Sequence, residues 1–189
     1  MKEIRTAIMM LALFTAICGG LYPALVTGIA QGVFPEQANG SMIAGKDRRL
    51  LGSTLIGQPF SDAKYFWGRP SVTAQFGYNP MASGGSNAGP GKPEYLQTVQ
   101  ERVKLWRDSG VTGALPAELV QASASGLDPH LAPESVALQI PRVARARGIP
   151  EADLGRLVAA HTEGRQLGFL GEPRVNILEL NLALDGKGR

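Results

Sequence analysis

The stretch Ala7–Phe34, AIMMLALFTAICGGLYPALVTGIAQGVF, decides the organisation of this chain. Lys2, Glu3 and Arg5 precede it and Glu36 follows, so residues 6–35 carry no charge. A bilayer core is crossed by about 20 apolar residues rising 1.5 Å each. The stretch is long enough to span with tilt, or to span and then run along the interface. A core helix of this length would carry a polar face, and here only threonines and Gln31 are polar. A cleaved signal peptide is the rival reading. Apolar residues continue past Cys18, no A-x-A site follows, and Ile17 stands where a lipoprotein signal needs a small residue. The reading is a retained anchor over residues 7–34.

Orientation follows from the flanks. Lys2, Arg5 and the terminal amine lie directly before the span, whereas Lys46, Arg48 and Arg49 lie 12–15 residues beyond Phe34. The nearer cluster favours a cytoplasmic N-terminus (residues 1–6), and long following domains translocate largely regardless of charge. Within the span Ala12, Ala16, Gly20, Ala24, Gly28 and Gly32 recur every fourth residue. Small residues at that spacing let helices approach closely in lipid. The row drifts around a helix of 3.6 residues per turn, so only part of it faces one neighbour. Pro23 removes one helical hydrogen bond and crowds the carbonyl of Gly19, which predicts a kink.

The rest of the 189-residue chain is a linker, 35–49, and one domain, 50–189. Residues 36–189 carry a net charge of +2, too thin and scattered for nucleic acid. One cysteine excludes an intrachain disulfide and a cysteine-based zinc site, and two histidines leave little for any metal. Leu50–Ile56 reads as a short strand. Tyr65–Ser71, YFWGRPS, reads as core aromatics followed by Arg69, a residue suited to a structural hydrogen bond or an anion. Ser83–Pro93, SGGSNAGPGKP, imitates a phosphate loop. The first glycine position is Ser86, and Pro93 follows Lys92 with neither hydroxyl nor N–H, so the motif fails.

Pro93 opens an amphipathic helix with Leu96, Val99, Val103 and Trp106 on its apolar face, closed by Gly110. Leu119–Ser123 reads as a strand. Ser123, Ser125, Asp128 and His130 fall within eight residues and look like hydrolase parts, but no G-x-S-x-G elbow is present and Asp128-Pro129 favours a turn. Glu134–Arg147 has helical spacing that Pro141 must kink or divide, with Arg142, Arg145 and Arg147 at its dipole-negative end. A further helix after Pro150 carries Leu154, Leu157, Val158 and His161 on one face. Leu178, Leu180, Leu182 and Leu184 alternate with polar or small residues, which predicts a terminal strand, with a bulge or break near Ile177. The fold class expected is a single N-terminal transmembrane α-helix plus a mixed α/β (α+β) soluble extracytoplasmic domain.

Six segments in order, GSTLIGQPF (52–60), YFWGRPS, SGGSNAGP (83–90), ASASGLDPHLAP (122–133), RVARARG (142–148) and LGEPRVNILELNLALD (170–185), resemble the C subunit of the Kdp-type bacterial potassium-transporting P-type ATPase. Ala124 and Ala88 depart from the family's pattern, which bears on local turn geometry. The resemblance implies a non-catalytic, single-pass subunit of the inner membrane with its C-terminal domain in the periplasm. Its partners would be a potassium-binding channel-like subunit and an ATP-hydrolysing catalytic subunit. It also implies a catalytic-chaperone role that raises the ATP affinity of the catalytic subunit. No cofactor is expected to be bound directly, ATP and potassium ion being engaged through the complex. Candidate contacts to a partner or ligand are Arg69, Ser86, Asn87, Ser123, Ser125, Asp128, His130, Arg174 and Asn176. Without the resemblance, the alternatives are a membrane-tethered periplasmic hydrolase and a stand-alone binding module.

Overall fold

The computed structural model describes residues 2–45 and 48–186, so Lys46 of the orientation argument lies outside the described residues. The chain divides into two compact units, Met1–Met42 and Ile43–Arg189.

The first unit is one continuous helix, Lys2–Val33, about 48 Å long at 1.5 Å per residue. It consists of α1 (Lys2–Ala16), a π-helical turn (Ile17–Leu21) and α2 (Tyr22–Val33). The π turn answers the strain expected at Pro23. Leu21, Tyr22 and Pro23 keep helical geometry because the Tyr22 N–H donates to the carbonyl of Ile17, five residues back rather than four. The apolar side chains are exposed along the whole helix, as in a segment whose packing partner is lipid or another helix. A short helix, α3 (Pro35–Ala38), follows, and Asn39 pairs its side-chain amide with that of Gln31.

The second unit is an α+β domain with little sheet and much loop. β1 (Met42–Ala44) and β2 (Leu50–Ser53) form a two-stranded sheet. A second, antiparallel sheet has the order β3-β5-β4, with β3 His130–Leu131, β4 Thr162–Glu163 and β5 Arg174–Asn176. Val175, at the centre of β5, stands opposite Leu131 on one side and Thr162 on the other. Among the described residues five α-helices complete the domain: α4 (Pro93–Asp108), α5 (Pro133–Ala137), α6 (Ile140–Arg147), α7 (Glu151–Ala160) and α8 (Ile177–Leu184). The core joins Phe66 and Trp106 to Leu131 and Val175 of the sheet and to Val143, Leu154 and Leu180 of the helices. α4 and α7 form where the apolar spacing places them, and Pro141 divides the Glu134–Arg147 segment into α5 and α6.

Two expected strands are absent. Leu119–Ser123 forms a 3₁₀ turn, Ala117–Leu119, followed by irregular chain. The leucine-rich terminus is helix α8, with strand only over Arg174–Asn176. Asn176 explains the switch, because its Oδ1 accepts from the N–H groups of Leu178 and Glu179 at 3.1 and 3.2 Å, a helix N-cap. Ile177, Leu178, Asn181 and Leu184 then share one helical face, and even-numbered leucines merely coincide with alternation. Two of the three arginines of α6 also do more than complement a dipole. Arg142 is buried, and Arg147 pairs with Asp185 at 2.7 Å and donates to the Lys64 carbonyl.

Between β2 and α4 lie some forty residues whose only regular element among those described is a 3₁₀ turn, Pro80–Ala82. Side chains hold this loop in place of a sheet. Asn181 donates to the Phe66 carbonyl and accepts from the Phe66 N–H, both at 2.9 Å. Gln139 does the same for Trp67, at 3.0 and 2.8 Å. Two amides thereby give two consecutive residues, buried Phe66 and half-buried Trp67, the backbone partners a neighbouring strand would supply. Arg142 locks the same segment. Its guanidinium donates to the carbonyls of Ala63 and Tyr65 and to Gln139, and lies 3.8 Å from the Trp67 ring centre.

Candidate functional site

The segment Ser123–His130, SASGLDPH, is where the loop, the sheet and α8 are tied together. Its turns form because each short polar side chain bonds its own backbone. Ser123 Oγ accepts from the Gly126 N–H at 2.9 Å, Ser125 Oγ from Leu127 N–H at 3.1 Å, and Asp128 Oδ1 from His130 N–H at 3.0 Å. Gly126 adopts φ +68°, and a Cβ there would sit 2.7 Å from Thr73 Cγ2 and 2.9 Å from the Gly84 carbonyl oxygen. Only glycine permits both that backbone conformation and that approach.

The segment's outward bonds reach every neighbour. Ser71 Oγ donates to the Gly126 carbonyl at 2.7 Å, the Gly84 N–H to the Ser125 carbonyl at 2.9 Å, and the Gly57 N–H to the Leu127 carbonyl at 2.9 Å. On the other side the Ile177 N–H donates to the Pro129 carbonyl at 3.0 Å, and Asn176 donates to the Thr54 carbonyl at 2.7 Å.

Arg69 and Asp128 form the electrostatic centre, with Nη1 to Oδ2 at 2.9 Å. Burial pushes the Asp128 carboxyl up, but bonds from His130 and Arg69 outweigh it and hold the group at about 2. His130 Nδ1 lies 3.5 Å from Asp128 Oδ1. The Tyr78 hydroxyl donates to the Arg69 carbonyl at 2.5 Å, and burial raises its pKa to about 12, with the charge of Asp128 adding to the effect and that of Arg69 opposing it.

The structure therefore brings Arg69, Ser123, Ser125, Asp128, His130 and Asn176 into one bonded network. Ser86 and Asn87 stand apart on an exposed loop, where Ser86 caps the Ala88 N–H at 3.4 Å and Asn87 has φ +49°. Arg174 is the exposed first residue of the central strand β5, paired with Glu163 of β4 at 2.8 Å. Chemically the network is a brace. Both serine hydroxyls are engaged by backbone N–H groups, and Asp128 is committed to Arg69 and the His130 backbone. Catalysis at a serine needs its hydroxyl within reach of a base held by a third group. Sequence reasoning missed Gln139, Arg142 and Asn181. Asn181 and Arg142 signal themselves only as polar residues among the apolar positions of α8 and α6, and Gln139, in the turn between α5 and α6, carries no periodic signal.

Beside the brace is a recess of about 410 Å³ lined by Glu118, Asp128, His130, Glu163, Glu172 and Arg174, among others. Glu118 Oε1 accepts from the Ala132 N–H at 3.0 Å, and the side chain pairs with no cation among the described residues. The described residues hold no group of three or more His, Cys, Asp or Glu able to bind a metal ion.

Residues 4–186 match the family model described as KdpC, K+-transporting ATPase, c chain. The chain belongs to the KdpC family. A KdpC subunit of the potassium-transporting ATPase of Geobacter sulfurreducens is 68% identical over 185 residues, 98% of each chain. The KdpC subunit of Geotalea uraniireducens is 62% identical over 189 residues, the whole of both chains. That of Methylococcus capsulatus is 54% identical over 186 residues, 97% of each. The KdpC match takes in both units, the apolar helix as well as the braced domain.

Proposed function

We propose that this chain is the accessory C subunit of an ATP-driven potassium-uptake complex. Residues 7–34 anchor it in the bacterial inner membrane, residues 1–6 are cytoplasmic, and the domain is periplasmic. There it packs over the outer mouth of the potassium-binding, channel-like subunit, supports assembly and shapes ion entry. Potassium itself is taken by carbonyl rings of the kind that build filters; the chain contributes shape around such a filter, binds no cofactor of its own and performs no hydrolysis. The family's catalytic-chaperone effect, a raised ATP affinity of the catalytic subunit, is exerted indirectly. About 30 Å of hydrocarbon separates the domain from cytoplasmic ATP. The effect is then a coupling free energy between two sites, carried by the state of the whole complex.

The observation that supports this reading best is the family match over the anchor and the domain together. A second support is the SASGLDPH network, whose hydroxyls and carboxylate are spent on rigidity, as a scaffold requires. The test is potassium-stimulated ATP hydrolysis by complexes with the full chain and with a chain lacking residues 36–189. Expected results are weaker assembly, altered potassium affinity and lower ATP affinity in the truncated complex. Unchanged assembly and unchanged potassium affinity refute the cap. Labelling an engineered surface cysteine from outside the cell checks the orientation separately.

A further inference from the structure

The β4–β5 connection is a hairpin that projects apolar side chains into solvent. Gln166 and Leu170 exchange two backbone hydrogen bonds, both at 2.9 Å, and the Phe169 N–H also donates to the Gln166 carbonyl. The Gly168 N–H donates to the Arg165 carbonyl at 3.2 Å, and Arg165 pairs with Glu172 across the base. The tip is thus tightly shaped. Leu167 is 82% exposed, Phe169 69% and Leu170 47%. Leu167 also holds φ +53°, a left-handed conformation that L residues other than glycine, asparagine and aspartate seldom adopt. Nothing in the core gains from these three side chains.

The surroundings say what covers them. The recess that contains Glu118 is lined by the stem of the same hairpin, including Gln166, Leu170 and Glu172, so an apolar knob and an uncompensated carboxylate share one face. Loops that insert into membranes are flanked by Lys and Arg, which attract anionic headgroups. Here the flanking charges are Glu163, Arg165, Glu172 and Arg174, which cancel, and the neighbouring recess adds Glu118. That balance disfavours a lipid surface and suits a protein with a cation beside an apolar hollow.

We infer that the 164–173 hairpin is a preformed docking knob. Leu167 and Phe169 enter an apolar hollow on another subunit of the same transporter, and a Lys or Arg at the rim of that hollow meets Glu118. The inference rests on the accessory-subunit reading and supplies its contact. Shape fixed in advance lowers the ordering cost of association, and an apolar anchor beside a charged pair is the usual make-up of an energetic hot spot.

The test uses the full complex, purified through a tag on the ATP-hydrolysing subunit. The wild-type chain is compared with a Leu167→Ser, Phe169→Ser double variant and with Glu118→Gln, which keeps the bond to Ala132. The double variant is expected to lower the amount of chain retained by about tenfold, and Glu118→Gln by a few-fold, with tryptophan-monitored unfolding of each variant chain unchanged. Equal retention of wild type and both variants overturns the knob while leaving the accessory role standing; a wild-type chain that is not retained overturns both. A second arm places an environment-sensitive fluorophore at Leu167→Cys in a Cys18→Ser background. A blue shift that requires the other subunits supports the inference. A shift with the chain alone in nanodiscs assigns the tip to lipid, a shift that grows with chain concentration assigns it to a second copy, and either overturns the inference.

Discussion

Replacing Asn181 with leucine tests how the long loop is held. The substitution keeps a side chain of similar size on α8 but removes both bonds to Phe66. Phe66 has no solvent exposure, so water cannot take over its N–H and C=O. A buried backbone group left unpaired costs about 1–3 kcal/mol, so two cost about 2–6 kcal/mol. Against a total stability of about 5–15 kcal/mol for a domain, that is a large fraction. The added apolar contact of leucine offsets only part of it, because the site is shaped for a planar amide. The assay is urea unfolding of the full chain in mild detergent, followed by tryptophan emission. Trp67 and Trp106 are the chain's two tryptophans, and their rings lie 5.2 Å apart beside the clamp, so the signal reports the region directly. A loss below about 0.5 kcal/mol would refute the idea that side-chain amides substitute here for a sheet. Gln139→Leu is the companion measurement. The two losses should not add, because the amides hold adjacent residues.

Two other outcomes follow from the arginine sites. Asp128 sits at about 2 in the folded chain against 3.8 for the free side chain, so its contribution is complete above pH 4 and fades as pH falls through 2. That contribution is about 2 kcal/mol at most, reduced by partial solvent screening, and Asp128→Asn should remove this part of the acid sensitivity, read as unfolding midpoints between pH 7 and pH 2. Burial lowers the pKa of the Arg142 guanidinium to about 10, and Arg142→Lys keeps a cation but loses the planar fork that bonds Ala63, Tyr65 and Gln139 while stacking on Trp67. It should cost about 2–4 kcal/mol and red-shift tryptophan emission; an unchanged denaturation curve would show that the charge alone suffices.

The long apolar helix was plain in the sequence because 30 consecutive residues carry no charge, a pattern that nothing else in the chain shows. Helices α4 and α7 were legible because apolar residues return every three or four positions over several turns, and Pro141 marked the break between α5 and α6. Arg69 was read as suited to a structural hydrogen bond or an anion, and it bonds Asp128. The terminal helix was misread because leucine at 178, 180, 182 and 184 satisfies alternation, while the residue that sets the outcome, Asn176, acts by capping. Strands of two or three residues, such as β3 and β4, are too short to display a period. The amide clamps were hidden because they join residues 72 and 115 positions apart. The serines, Asp128 and His130 were read as turn and capping residues rather than catalytic parts, and their bonds are those of a brace.

The π turn at Ile17–Leu21 alters the phase of the anchor. At 100° per residue, the 20 positions from Ala12 to Gly32 accumulate about 200° of net rotation beyond whole turns. One residue interpolated into a turn sets back everything after it by about 100°. The six small side chains, which a regular helix would smear over more than half its circumference, are thereby gathered into roughly a third of it. The widened turn that accommodates Pro23 therefore also straightens the strip of small side chains along the helix.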